Sequence, residues 1–271
     1  MTAPRVLPRP ELGQYAYDRL ARAIATGELP PGAALHERDV AARLGMSRTP
    51  LRAALHRLEL EGLVETVPQR GTVVSRLDAA DIRDNMAVRE ALEIEMARRV
   101  IEAGLDLDTE VLDGLLADQR RAVERCDSPA FLDADERFHL YLVGAAGNPR
   151  ALDAVRRTWL HVNRARYLLP ISITHMRQSL RGHREIVRAM QERRPDDAGA
   201  AIRGHLEEPL QRSLRSLASA APEAFIERDP TVHELRAPAS LELDAFVVPR
   251  RPRVAAAAAE RPPRVATAGP R

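Results

Sequence analysis

Three histidines and one aspartate have the residue types and spacing of a metal site. Asp135 and His139 stand four apart in DADERFHLYL, so on a helix they share one face. His183 lies in RGHREIVRAM, followed at helical spacing by Ile186, Val187 and Met190; His205, in AAIRGHLEEPL, is flanked by Ile202 and Leu206. Each imidazole therefore borders an apolar stripe and is expected to face the interior of a helical layer. Neutral imidazole ligates borderline divalent metals, and a carboxylate completes a mixed nitrogen–oxygen set. A second group has the types that read DNA. Ser47, Arg48, Thr49 and Arg52 open one helical stretch. Arginine grips guanine through two hydrogen bonds, and serine or threonine bonds bases or phosphates. Arg48 and Arg52 share a face, and Leu51, Leu55 and Leu58 on the opposite face supply the core contact.

The elements that must position the second group lie in residues 10–76. Helical spacing of Tyr17, Leu20 and Ile24 predicts a helix over 11–26, stopping at Gly27. ELPPGAAL reads as a turn. A short helix over 37–44 ends at Gly45, which suits a left-handed position after the last turn. Ser47 is placed as the N-cap of the next helix, which tolerates Pro50 in its first turn and ends at Gly62. LVETV and GTVVS then read as a β-hairpin around PQRG. Two short helices followed by a hairpin make a winged helix-turn-helix, whose second helix enters the major groove with its N-terminal residues nearest the bases. Arg38, early in the first of that pair, and Gln69, Arg70 and Gly71, at the hairpin tip, are placed to meet backbone or minor groove.

Residues 79–220 read as helices throughout, near 79–104, 108–126, 129–146, 149–169, 173–194 and 196–219. Asn148–Pro149 and Arg194–Pro195 are turn and helix-start signals. Short connections imply an antiparallel bundle of six to seven helices, a fold that hosts ligand sites between facing helices. The fold class is thus mainly α: an N-terminal winged helix-turn-helix followed by this bundle.

Composition agrees. The 271 residues allow two modest domains, and 45% apolar content excludes wholesale disorder. With only 3% aromatics, helix-on-helix packing is favoured over a β-sandwich. All 41 basic residues are Arg, and residues 1–77 hold 11 of them against 8 acids, a mildly positive balance consistent with a phosphate-facing surface. Cys126 is the sole cysteine, so an intramolecular disulfide is excluded and a reducing cytoplasm is the expected setting. No secretory leader and no membrane span are expected from the sequence. Residues 222–271 hold 8 of the 20 prolines and an Ala run at 255–259, and are expected to form a solvated, disordered tail.

The stretch HERDVAARLGMSRTPLRAALHRLELEGLVETVPQRGTVVS resembles the winged helix-turn-helix of GntR-family bacterial transcription regulators. The resemblance covers about residues 12–76. It implies operator contacts by Arg38, Arg48, Thr49, Arg52 and Gly71. His36 departs from it, standing where the family often has a Ser N-cap; weak capping costs that helix start about 0.5–1 kcal/mol. The bundle, over about 80–218, resembles the FCD-type domain of the FadR subfamily. That resemblance implies a divalent transition metal on Asp135, His139, His183 and His205, with Zn²⁺ first and Ni²⁺ or Mn²⁺ as alternatives. It also implies a small effector, often a carboxylate, at the metal's open positions.

Arg89, in VREALEIEMA, matches an arginine of the first bundle helix in that group and is the first candidate counter-charge. Glu93, four residues on, offers it an ordinary ion pair instead. Asn163, Arg164 and Arg166 are secondary candidates, and His161 and His175 receive no role. The implied function is a homodimeric repressor on a pseudo-palindromic DNA operator, released by effector, with residues 75–80 as the joint. A metal-free regulator with a purely organic effector pocket is the alternative. A metal enzyme is disfavoured: the chain has no His-Glu-x-x-His, no phosphate-cradling glycine loop and no nucleophile elbow.

Overall fold

Helix α1 (Arg9–Ala25) buries Tyr17, Leu20 and Ile24 along one stripe and stops ahead of Gly27, whose φ of +78° only glycine adopts freely. The computed structural model describes residues 9–168 and 171–219, and all of these fall in one compact unit. After α1 come β1 (Ala34–Leu35), α2 (Glu37–Arg43), α3 (Arg48–Leu60), β2 (Val64–Val67) and β3 (Gly71–Val74). The hairpin β2–β3 forms as its alternating pattern predicts, with Thr66 opposite Thr72. The turn expected at ELPPGAAL is partly a strand. Ala34 and Leu35 pair with Val73 and Thr72, giving the sheet order β1-β3-β2. Two residues are too short to show a period, so that strand exists only through its partner.

Leu20, Leu51, Leu58 and Leu63 are fully buried at the centre of this N-terminal core. Burial of each such side chain contributes about 1.5–3 kcal/mol. Gly45 takes φ +64° after α2. Ser47 holds the N-cap position of α3 in extended geometry, but its side chain makes no capping hydrogen bond, and neither does His36 ahead of α2.

Six helices follow: α4 (Ala79–Glu102), α5 (Thr109–Glu124), α6 (Ser128–Ala145), α7 (Pro149–Leu168), α8 (Ile173–Gln191) and α9 (Pro195–Ser219). Asp78, Asp108, Asp127 and Ser172 cap α4, α5, α6 and α8 by accepting backbone N–H bonds in the first turn. The core runs through Phe138, Ile186 and Ile202, with a second cluster around Val155 and Trp159. Helix α4 lies against α6, α7 and α9, while α8 lies against α5 and α9.

Helix α7 also touches the N-terminal elements. It packs along α1, and its Leu160 lies against the N-terminal core. Arg164 of α7 donates to the carbonyl of Ser75, between β3 and α4, and His161 pairs with Asp81 at 2.7 Å. Arg22 of α1 reaches Asp133 of α6 at 3.0 Å. No helix among the described residues is long and apolar enough to cross a membrane. The tail expected at 222–271 lies outside the described residues.

Candidate metal centre and nucleic-acid interface

Helix α6 presents Asp135 and His139 from successive turns of one buried face, α8 supplies His183, and α9 supplies His205. The structure brings all four together: one potential ligand atom from each lies within 4.8 Å of every other. The three Nε2 atoms form a triangle with edges of 3.0, 3.1 and 3.2 Å, and Asp135 Oδ1 is 3.2 Å from His183 Nε2. Asp135, His139 and His183 are buried, and His205 is partly buried.

Two neighbours set the tautomers. Glu93 Oε2 accepts from His139 Nδ1 at 2.8 Å, and Gln119 Oε1 accepts from His183 Nδ1 at 2.6 Å. Gln119 Nε2 faces the Ala134 carbonyl, which fixes the amide's orientation. Burial opposes the charge on Glu93, but Arg89 and His139 outweigh it and hold its pKa at about 2. The carboxylate can therefore only accept, so His139 carries its proton on Nδ1. His139 and His183 thus aim bare Nε2 lone pairs at one another, which is repulsive without a bound cation or proton between them. Burial pushes His183 down to about 4 and His205 well below the ordinary imidazole range, so both are neutral at pH 7, the form that ligates. Burial also resists the charge of Asp135, yet Arg166, 2.8 Å away, and His183 keep its carboxyl well below the usual range. Three imidazoles and one carboxylate converge, the outer nitrogens of His139 and His183 already pinned, and such a set fits a divalent transition metal.

Close backbone passage completes the geometry. A Cβ on Gly182 of α8 would stand 3.0 Å from His205 Nδ1, so a larger residue there would push that ring back by a few tenths of an ångström. Trp159 of α7 borders the cluster, its ring centroid 5.8 Å from that of His139. The Arg89 guanidinium lies 3.7 Å over the same indole. Arg89 pairs with Glu93 at 2.5 Å, so the ordinary ion pair does form, while its Nη2 is buried without a partner. Among the secondary candidates, Arg166 reaches the cluster through Asp135. Arg164 turns away toward Ser75, and Asn163 donates to Glu136.

At the other end, Arg38, Ser47, Arg48, Thr49, Arg52, Gln69, Arg70 and Gly71 are all exposed. Arg48 through Arg52 occupy the first turns of α3, and Gln69, Arg70 and Gly71 form the wing tip, where Gln69 takes φ +66°. Arg52 is held by Glu37 of α2 at 2.8 Å.

Residues 12–74 match the family of bacterial regulatory proteins named gntR, and residues 84–208 match the FCD domain. The HTH-type transcriptional repressor RspR of Escherichia coli is 31% identical over 210 residues, covering 78% of this chain and 92% of that protein. This chain belongs to the GntR family. A second relative, an HTH-type transcriptional regulator in an unstable DNA locus of Streptomyces ambofaciens, is 34% identical over 80% of this chain and 90% of its own length. The fold matches the solved structure of E. coli McbR/YncC with a TM-score of 0.68 at 19% identity, over 76% of this chain and 98% of that one. The protein is thus a DNA-binding transcriptional regulator of GntR/FCD type, and its family and relatives are regulators and not enzymes.

The residue pattern pointed to the four-residue cluster but passed over Gln119 and Trp159, and it took Glu93 only as a partner for Arg89. Gln119 had a signal. It interrupts the apolar stripe of Leu112, Leu115 and Ala122 on α5, where a polar side chain needs a buried partner.

Proposed function

We propose that this GntR/FCD protein is a repressor that binds a pseudo-palindromic operator as a homodimer and is released by a small carboxylate sensed at the metal centre. Residues 10–76 are the reading domain and 79–220 the sensing and dimerising domain. Arg48, Thr49 and Arg52 read base edges, with Ser47 beside them; Arg38, Gln69, Arg70 and Gly71 hold the backbone or minor groove. Asp135, His139, His183 and His205 hold a divalent transition metal, with Zn²⁺ first and Ni²⁺ or Mn²⁺ as alternatives. Such an ion supplies a Lewis-acidic seat for an effector carboxylate, and Arg89 supplies a counter-charge.

The observation that carries this reading is the pinned tautomer pair, which leaves His139 Nε2 and His183 Nε2 as converging donors. Helix α7 supports a link between the two ends. Arg166 touches the ligand Asp135, and Arg164, two residues earlier, grips the Ser75 carbonyl at the joint. An effector changes DNA affinity only by as much as it distinguishes the two arrangements of that joint, about 1.4 kcal/mol for each tenfold.

The test is footprinting of the dimer across its own upstream region and neighbouring promoters. A protected pseudo-palindrome is expected, abolished in an Arg48→Ala, Arg52→Ala variant that keeps its metal. No protected site, or a variant that still protects it, would overturn the proposal.

A further inference from the structure

Four arginines stand in a row on the outer face of α8. Arg177, Arg181, Arg184 and Arg188 are spaced four, three and four apart. At 3.6 residues per turn that keeps them within an arc of about 60° over roughly 16 Å of helix. All four are exposed, and none makes an ion pair or a side-chain hydrogen bond among the described residues. By contrast Arg99, Arg121, Arg193 and Arg203, also exposed, each meet a carboxylate. Glu185 is the one acid of α8 and leaves that helix three charges positive. Like charges four apart on a helix repel, so Arg177 with Arg181, and Arg184 with Arg188, weaken α8 unless an anion lies over them.

Past α9 the chain carries the opposite charge. PEAFIERDPTVHEL, residues 222–235, holds Glu223, Glu227, Asp229 and Glu234 against Arg228 alone. We infer that this acidic segment docks along α8, with Glu227, Asp229 and Glu234 on the four arginines. Chain length allows it. Helices α8 and α9 run antiparallel, His175 in the first turn of α8 meeting Glu208 of α9 at 3.4 Å. Ser219 therefore lies about 16 Å past that level, roughly 20 Å from the level of Arg177 and 36 Å from that of Arg188. Extended chain from Ser219 spans about 26 Å by Glu227 and about 50 Å by Glu234. Exposed ion pairs are individually weak, but so short a tether holds the segment at millimolar effective concentration. DNA suits the ridge less well: α8 packs on α5, α6 and α9, whereas it is α7 that packs along α1 of the reading domain. Docked there, the segment supplies the ridge with counter-charge and keeps a DNA-binding protein from holding phosphates away from its reading end.

The chain has no lysine, so Arg181→Lys installs its one side-chain amine in the middle of the ridge. A carbodiimide then joins that amine, with no spacer, to whichever carboxylate touches it, and peptide mass spectrometry identifies the pair. The test uses the full chain at low salt, with thermal melts of each variant as the folding control. Cross-links to Glu227, Asp229 or Glu234 within one chain are expected. Adding Arg177→Gln, Arg184→Gln and Arg188→Gln should cut their yield at least fivefold, as should 1 M salt, where charges are screened beyond about 3 Å. A yield unchanged by those substitutions means that the tether alone brings the segment near, and overturns the inference. So does cross-linking to Glu185 alone, or a product of twice the chain mass, which seats a second copy's segment on the ridge. Absence of any cross-link to the segment overturns it as well. If a random-sequence duplex then binds wild type at least threefold more tightly than a variant with all four arginines changed to Gln, the ridge is a DNA surface instead.

Discussion

Replacing Gln119 with Leu should weaken metal binding without touching a ligand. Gln119 and His183 are both fully buried, and the amide oxygen accepts from His183 Nδ1 at 2.6 Å. With Leu in its place, that N–H has no acceptor on this side. The imidazole then has two courses. It keeps the proton on Nδ1 and bears an unsatisfied buried donor, which costs about 1–3 kcal/mol. Or it moves the proton to Nε2, where it occupies the lone pair the metal needs. The stripped protein can take the second course, with Asp135 Oδ1 3.2 Å away to accept from Nε2, whereas the metal-bound protein is confined to the first, so at about 1.4 kcal/mol per decade the loss of affinity is roughly 5- to 150-fold. Outer partners of metal-bound histidines elsewhere are worth about 10–100-fold, in the same range. Gln119→Glu keeps an acceptor and should hold metal within a few-fold of wild type. The assay is competition with a chromophoric chelator at pH 7.5, with thermal melts of the stripped proteins as the folding control. A folded Leu variant with wild-type metal affinity would refute the tautomer argument.

Three further changes probe other links. Gly182→Ala places a methyl 3.0 Å from His205 Nδ1, so the ring must shift, and metal affinity should fall at least tenfold in the same competition assay; unchanged affinity would mean that His205 is not held where the cluster needs it. Glu37→Ala releases Arg52 from its 2.8 Å ion pair. DNA affinity should rise by a few-fold and its dependence on salt should steepen, both measured by fluorescence anisotropy; a fall in affinity would count against Arg52 as a DNA contact. Arg164→Met removes the grip on the Ser75 carbonyl while relieving a guanidinium whose pKa burial has pushed down to about 10. Trypsin should then cut after Arg76 several-fold faster with little loss of thermal stability, and an unchanged cleavage rate would show that Arg164 does not restrain the joint.

Much of the fold was legible because its signals are local. Helix ends coincide with residues that act without tertiary help: Gly45 and Gly62 in left-handed geometry, and Asp78, Asp108 and Asp127 as caps. The i,i+4 spacing of Asp135 and His139 places both on one face whatever surrounds them. What stayed hidden depends on chain segments far apart. Strand β1 exists because Val73 and Thr72 accept it as a neighbour, nearly forty residues on. The roles of Glu93 and Gln119 arise where α4 and α5 meet α6 and α8, a matter of packing that no periodicity encodes. Arg164 and Arg166 looked equivalent in sequence, two apart on one helix. The 3.6-residue turn sends them to opposite tasks, one at the joint and the other at Asp135. Ser47 illustrates the reverse: the cap position was legible, but the hydroxyl does not cap and is left exposed at the N-terminal end of α3.

The central claim is that Asp135, His139, His183 and His205 hold a metal in a DNA-binding regulator. Its most direct test is elemental mass spectrometry of protein purified without chelator or nickel resin, beside a His139→Ala, His183→Ala variant. Wild type should carry about one transition-metal ion per chain, and the variant should carry almost none while still binding DNA. Metal absent from both proteins, or retained undiminished in the variant, would contradict the account.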